Sequence, residues 1–599
     1  MRMTEDELIR VAVLSIFLAP TAGVRGSQLE DVSAWEGFMQ LTRRDLLRWG
    51  IVLGGGAALS SGRRVLQAAN LPESPPTRPF VVELTRANGG IPATAQPVRP
   101  FATQADPADC VNVDGTTAFH VHGPRTVPAN TDFFLIHERN TQHSFHPDLP
   151  LNDLWGYDGR VPGPTFVANS RSFPPPGVTG KAHLVRFVND LLEGRLDIGE
   201  PITAIHRHGG FQNPEDDGYP LDTFCFGESR DYFYPNRAAG GLLQNEHSTM
   251  WYHDHAIDIT AENVYRGLAG FYVSHNVLDT GNETDPPPAL GLPSGDFDIG
   301  LVIQDRLFDG NGFLVYDNFD HNGFLGDKFL VNGKIQPFLT VQRRKYRFRI
   351  LNGSSARVYQ LFLSNDQPFI AIATDSTLLE RPVRVQNFRI APAERVEVVI
   401  DFTFAPDEVF LVNRLQQTDG RKPDKLVEPG TPLLKFVVAR GAVNDPSRVP
   451  NTLLPVTEGP AQLLPRVRVQ RKFKFDRSFG AWTINGEFFD ENRVDARPRV
   501  REPEIWILES AGGWVHPVHI HVADFFILSR DGKTPPPLEQ GRKETVLIGG
   551  DVARETRILI KFDDSREAPT AGDRLRYVFH CHNIEHEDMR MMSQFEIQT

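Results

Sequence analysis

The stretch FHCHNIEHEDMRMM, residues 579–592, sets a cysteine between two histidines and follows it with a third histidine and three methionines. Read as a β-strand, its successive side chains point to opposite faces, so His580 and His582 share one face and Cys581 projects to the other. One strand would then serve two metal sites, with the thiol turned to one and the flanking imidazoles to the other.

On the thiol side, Cys581 can join His516 and His586, with Met591 ten residues after the cysteine as a weak axial ligand. Two imidazoles, one thiolate and a distant thioether form the ligand set of a blue-copper electron-transfer centre. A structural zinc site would ask for more thiolates, and the chain has only Cys110, Cys225 and Cys581. On the imidazole side, three more His-x-His pairs wait elsewhere: His206 and His208 in AIHRHGG, His253 and His255 in WYHDH, and His519 and His521 in HPVHIH. In a strand each pair aims two rings at one spot, and four pairs supply eight nitrogen donors. Neutral imidazole suits copper, zinc, iron and nickel alike, so the eight donors alone do not name the metal.

Around these motifs the chain reads as all-β. KYRFRIL sets Tyr346, Phe348 and Ile350 against Arg347 and Arg349, and ERVEVVIDF sets Val396 and Val398 against Arg395 and Glu397, as half-buried strands do. Asp158-Gly159, Asn332-Gly333 and Asn485-Gly486 each sit between apolar residues as hairpin turns do. Each is followed by a further strand-like run, HLVRFVNDL, KYRFRILNGS or PEIWILES. Three such units, spaced by 174 and 153 residues, predict three β-sandwich domains near 80–278, 285–450 and 465–599. The Pro-rich DPPPALGLPSG and the stretch around VPNTLLPVTEGP would be the linkers. The length of 599 residues agrees with several cores rather than one.

The order PGPTF, VNG, HPVHIH and HCHxxxHxxxxM resembles the multicopper oxidase family in its three-domain, laccase-like form, over nearly all of the chain after residue 80. WYHDHAIDITAENVYRGLAGFYV and NIEHEDMRMM resemble spore-coat laccases, bilirubin oxidases and phenoxazinone synthases most. The resemblance implies three cupredoxin-like Greek-key sandwiches and four copper ions. His516, Cys581, His586 and Met591 would hold the type 1 copper, and His206 and His519 the type 2 copper. His208, His253, His255, His521, His580 and His582 would hold the type 3 pair. Phenols, aromatic amines or tetrapyrrole-like donors would give up single electrons at the type 1 site, and dioxygen would be reduced to water at the trinuclear site. Glu587 and Asp217 match positions that family members use to deliver protons. A metallo-oxidase acting on Mn(II) or Cu(I) is the alternative within the enzymes, and a copper-free envelope scaffold the alternative outside them.

FHVHG offers a competing pair, His120 and His122, but it lies ahead of the PGPTF and VRFVND strands. These two, like His137, His143 and His146, are expected to be ordinary strand residues; Met589 and Met592 are expected to pack, and His247, His275 and His321 to lie in core or surface.

At the N-terminus, LTRRDLLRWGIVLGGGAALSSG places Arg43 and Arg44 before an apolar run, as a twin-arginine export signal does. The run is too short to span a bilayer, which takes roughly 20 residues. Cleavage near Ala69 and a start at Met39 are expected, giving a periplasmic or extracellular protein without a transmembrane segment. Removing residues 1–69, with their 8 basic and 7 acidic side chains, leaves 55 basic against 69 acidic residues. That acidic balance argues against nucleic acid as a partner, leaving dioxygen and a small reductant, with a monomer as the expected state. In an oxidising compartment Cys110 and Cys225 can pair.

Overall fold

The computed structural model describes residues 71–599 except 72, 108–109, 112–118, 121, 123–125, 193–197, 318–320, 479, 511, 564–574 and 599. The expected export segment at 1–69 lies outside the described residues. No described helix is long and apolar enough to cross a membrane.

Among the described residues the strands form three pairs of sheets, of four and four, eight and five, and six and four strands, with one additional two-stranded ribbon. Each pair encloses an apolar core: Trp155, Phe166, Tyr232 and Tyr252 in the first, Phe348, Phe369, Phe402 and Phe436 in the second, and Trp506, Phe525, Phe579 and Phe595 in the third. These are cupredoxin-like β-sandwiches. In all three the same topology recurs, because the opening strand runs parallel to the strand that follows the hairpin: Thr131–His143 beside Ala182–Asp190, Asp298–Phe308 beside Lys345–Asn352, and Val469–Ser478 beside Pro503–Ser510. The hairpins turn at the three repeated dipeptides. Asp158, Asn332 and Asn485 have φ of 52°, 49° and 56°, and the glycines after them 66°, 72° and 83°. Two successive positive φ values match the right-handed twist of the flanking strands, a conformation that Asn-Gly and Asp-Gly adopt at least cost.

Two features depart from the sequence reading. Lys345–Asn352 and Arg395–Asp401 are buried on both faces rather than half-buried, with Arg347 and Arg349 exposed by only 1% and 2% and Arg395 and Glu397 fully buried. The face of Arg347 and Arg349 is turned toward the first sandwich: Arg349 donates to Thr249 of that sandwich (2.7 Å) and Arg347 to Asp279 just after it (2.7 Å), while Glu397 (2.7 Å from Arg347) and Asp298 (2.7 Å from Arg349) stand on neighbouring strands of the same sheet. Burial alone would raise the carboxyl of Asp279, but Arg347 holds it well below the carboxylate range. Alternation of apolar and basic residues here marks an interface between sandwiches, not a wet face. Secondly, Leu84 lies in the core of the second sandwich, and its N–H donates to the carbonyl of Phe338 (2.8 Å). The chain just after residue 80 is therefore packed on the second sandwich.

Cys110 and Cys225 form a disulfide across 115 residues of sequence, with Cα atoms 5.5 Å apart. A crosslink closing a loop of this length is worth about 2–4 kcal/mol. Calorimetry of Cys110→Ser/Cys225→Ser is expected to show a lower melting temperature with unchanged visible absorption; an unshifted transition would mean the crosslink is idle.

Candidate metal centre

Strand alternation sorts the donors onto two sides. In Leu575–Cys581, Tyr577, Phe579 and Cys581 belong to the core of the third sandwich, whereas Val578 and His580 face the opposite way. In Val515–Ile520, Val518 and Ile520 are core residues with His516 in phase, leaving His519 on the other face, directly across from His580. The first sandwich presents the complementary face: Ile205, Met250 and Tyr252 enter its core, while His206 and His253 are a direct cross-strand pair pointing out. The two outer faces meet ring on ring, with His208 and His519 stacked at 3.6 Å and His206 and His521 at 3.9 Å between centroids.

The imidazoles fall into groups whose ligand atoms lie within 4.8 Å of one another: His208, His253 and His582; His255, His521 and His580; and His206, His519 and His521. In most rings one nitrogen is tied down and the other is left to the cluster. Nδ1 of His206 donates to the carbonyl of Asp217 (2.6 Å), that of His253 to the carbonyl of Asp254 (2.7 Å), and that of His519 to the carbonyl of Glu544 (3.1 Å). Their Nε2 atoms are buried without a hydrogen-bond partner. Tying one nitrogen of an imidazole fixes its tautomer and leaves the other lone pair for a cation. Burial, followed by neighbouring imidazoles, pushes His206, His208, His255, His519, His521 and His582 well below the usual range, and burial holds His253 at about 3. Burial therefore favours the neutral, donor form of these rings, and a cation is what their orphaned nitrogens fit.

On the far side of the Cys581 strand, Cys581 Sγ lies 3.5 Å from Nδ1 of His516 and 3.5 Å from Nδ1 of His586, which are 3.2 Å from each other. Nε2 of His586 donates to the carbonyl of Asn322 (3.1 Å), aiming Nδ1 inward. The N–H of Asn583 donates to the sulfur (3.4 Å). Met591 is fully buried in the same core, and its backbone pairs with both neighbours, N–H to His586 (2.9 Å) and carbonyl from Cys581 (3.1 Å). Burial pushes the Cys581 thiol well up, so a soft cation must displace a proton to bind there. One thiolate with two imidazoles suits copper.

Three models described as multicopper oxidase match residues 139–277, 251–429 and 463–599. A bilirubin oxidase from Albifimbria verrucaria is 36% identical over 564 residues, spanning 90% of this chain and 88% of its own. The chain belongs to the multicopper oxidase family. A laccase from Bacillus subtilis (strain 168) is 32% identical over 518 residues, with 78% of this chain and 94% of its own covered. The crystal structure of a multicopper oxidase from the hyperthermophile Aquifex aeolicus matches with a TM-score of 0.64 at 27% identity, over 80% of this chain and all of that one. The protein is a copper-dependent oxidoreductase with dioxygen as acceptor.

In this oxidase the two acids read from the sequence touch the imidazole cluster. Glu587 lies 3.0 Å from Nδ1 of His580 and 3.4 Å from Nε2 of His255. Asp217 pins one ring from each sandwich: its carbonyl takes His206, and its carboxylate takes Nδ1 of His521 (2.7 Å). Burial holds the Asp217 carboxyl well above the usual range. Five of the other histidines pair elsewhere, His120 with Asp222 (2.9 Å), His122 with Asp216 (3.2 Å), His137 with Asp190 (2.6 Å), His143 with the carbonyl of Gly333 (2.7 Å) and His146 with that of Arg78 (2.8 Å).

Sequence reasoning missed Trp482, whose indole lies 3.8 Å from the ring of His586 and whose Nε1 donates to the carbonyl of His321 (2.6 Å). It also missed Asn322. Neither has a spacing that announces it, although Trp482 stands in WTING, one of the three repeated turns.

Proposed function

We propose that the protein is an exported, monomeric oxidase with four coppers, oxidising phenols, aromatic amines or tetrapyrrole-like donors one electron at a time. His516, Cys581, His586 and Met591 are assigned to a type 1 copper, His206 and His519 to a type 2 copper, and His208, His253, His255, His521, His580 and His582 to a type 3 pair. Bound copper supplies one-electron chemistry at the first site and the four-electron reduction of dioxygen to two waters at the other three. The observation that carries this reading is the orientation of one strand: Cys581 turned toward His516 and His586, with His580 and His582 turned to the cluster between sandwiches.

The protein's own residues account for the rest. The carbonyl of Cys581 accepts from Nδ1 of His580 (3.2 Å), so the two sites are joined by a hydrogen bond as well as by the peptide. Every donor is at most 1% exposed, which keeps reductants from the cluster and restricts them to the surface beside His586. That surface is aromatic and cationic: half-buried Trp514 lies 6.0 Å from the His586 ring, with the guanidinium groups of Arg477 and Arg421 at 5.8 and 5.9 Å from its centroid. A flat, electron-rich donor suits it. Asp217 and Glu587 are placed to hand protons to the cluster from different rings.

Dedicated oxidation of Cu(I) is disfavoured, because Met250, Met591 and Met592 are at most 1% exposed and Met589 is half-buried. A non-catalytic scaffold would have no reason to keep twelve donors in register. The test is oxygen consumption by the copper-loaded protein with diphenols, bilirubin, o-aminophenols, Mn(II) and Cu(I). Turnover of the organic donors is expected; turnover of Mn(II) alone would move the assignment to a metallo-oxidase, and a colourless protein after copper loading would favour the scaffold.

A further inference from the structure

The middle sandwich holds none of the twelve donors, yet one of its arginines reaches the cluster. Arg395 opens the strand Arg395–Asp401 and is fully buried. Its Nε donates to the carbonyl of Thr249 (3.2 Å) and its Nη1 to that of Ala393 (3.0 Å), while Nη2 forms an ion pair with Glu544 of the third sandwich. The same carboxylate oxygen lies 3.2 Å from Nε2 of His208. Oγ1 of Thr545 is 3.3 Å from that nitrogen too.

The rest of the junction holds this contact in place. Asp375, at a turn of the middle sandwich, accepts from the backbone N–H of Glu544 (3.0 Å), Thr545 (3.1 Å) and Arg395 (3.2 Å). Lys543 bridges Asp375 (3.1 Å) and Glu394 (3.2 Å). Gly209, next to His208, presses on the pair: at its φ of +87° a Cβ would stand 2.6 Å from Nη2 of Arg395 and 2.7 Å from both oxygens of Glu544.

The consequence is a ring turned the other way round. His206, His253 and His519 are tied through Nδ1, but His208 is tied through Nε2, to the hydroxyl of Thr545 (3.3 Å) with the Glu544 carboxylate beside it at 3.2 Å, and its Nδ1 is a buried atom without a hydrogen-bond partner. An acceptor on one imidazole nitrogen decides which nitrogen remains for a metal, and a charged one also raises its basicity. A buried carboxylate needs a compensating charge, which Arg395 supplies.

We propose that Arg395 and Glu544 are a positioning pair, through which the metal-free middle sandwich orients His208 to bind copper by Nδ1. This rests on the assignment of His208 to the type 3 pair. The test compares the copper-loaded wild type with Glu544→Ala, Glu544→Gln and the double variant Arg395→Leu/Glu544→Leu. Copper per chain under a chelator challenge, the near-ultraviolet absorption of the coupled pair and the blue absorption would be read together. Glu544→Ala is expected to retain the blue absorption and lose the near-ultraviolet band, with copper at that position held about 10- to 100-fold more weakly. Glu544→Gln, which keeps an acceptor, is expected to restore part of the band. If Glu544→Ala does not fold, the double leucine variant decides, since it removes both charges together.

A near-ultraviolet band and chelator resistance equal to wild type in a folded alanine or double leucine variant would overturn the proposal. So would failure of both to fold, which would make the pair merely structural. A wild-type protein with the blue absorption but no near-ultraviolet band would instead overturn the assignment of His208.

Discussion

Cys581→Ser is expected to erase the blue absorption and bring donor oxidation to background, while the copper content falls by one per chain. Serine nearly matches cysteine in size, so the core around Phe579 and Met591 keeps its shape and the rings of His516 and His586 keep their tautomers. What changes is the donor, because a hydroxyl is hard and stays protonated where a thiolate is soft and anionic. The N–H of Asn583 also loses the sulfur it donates to at 3.4 Å. Burying a hydroxyl in the thiol's place costs about 1–3 kcal/mol, less than a domain of this size needs to remain folded. Because the imidazole cluster draws its donors from the opposite face, its copper should survive. Absorption spectra, metal analysis and oxygen uptake on one preparation separate the two sites. Retained blue colour, or donor turnover within a few-fold of wild type, would sever Cys581 from electron entry.

The same alternation explains why so much of this site could be read before the fold was known. A His-x-His pair in a strand has one geometric meaning, and four pairs with one cysteine leave few arrangements open. The repeated Asp-Gly and Asn-Gly dipeptides were legible for a similar reason, since their backbone preference is local. Arg347 and Arg349 misled because alternation records chemistry and not exposure. Their arginine face is covered by the first sandwich, and only tertiary structure supplies Asp279 and Thr249 to meet it. Glu544, Arg395, Asn322 and Trp482 were invisible on the same account. Glu544, Asn322 and Trp482 each meet a ring from another part of the chain, Glu544 meeting His208 across 336 positions, and Arg395 meets Glu544; no local spacing encodes contacts of that range. The donors announce themselves in short motifs, whereas the groups that orient them are assembled by the packing of three sandwiches.

Glu587→Gln should separate electron entry from proton delivery. Glu587 is 2% exposed and spans Nδ1 of His580 at 3.0 Å and Nε2 of His255 at 3.4 Å, whereas Asp217 meets the cluster at His206 and His521. Glutamine keeps the length, and Nδ1 of His580 keeps the carbonyl of Cys581 as its acceptor (3.2 Å); what the amide cannot do is carry a proton. Anaerobic reduction by a diphenol should therefore run at the wild-type rate, since it depends on the surface beside His586 and on Cys581. Recovery of the blue absorption after mixing with dioxygen should slow by about 10²-fold, at the lower end of what general acid catalysis contributes. A change in copper content or in the near-ultraviolet band would mean that the substitution had moved His580 instead, so both are measured alongside. Asp217→Asn offers the contrast: it replaces the carboxyl that meets Nδ1 of His521 (2.7 Å) and is expected to weaken copper binding about 10- to 100-fold as well as slow reoxidation. Stopped-flow reoxidation of Glu587→Gln at the wild-type rate, with copper intact, would remove Glu587 from the proton path and leave Asp217 to supply the cluster alone.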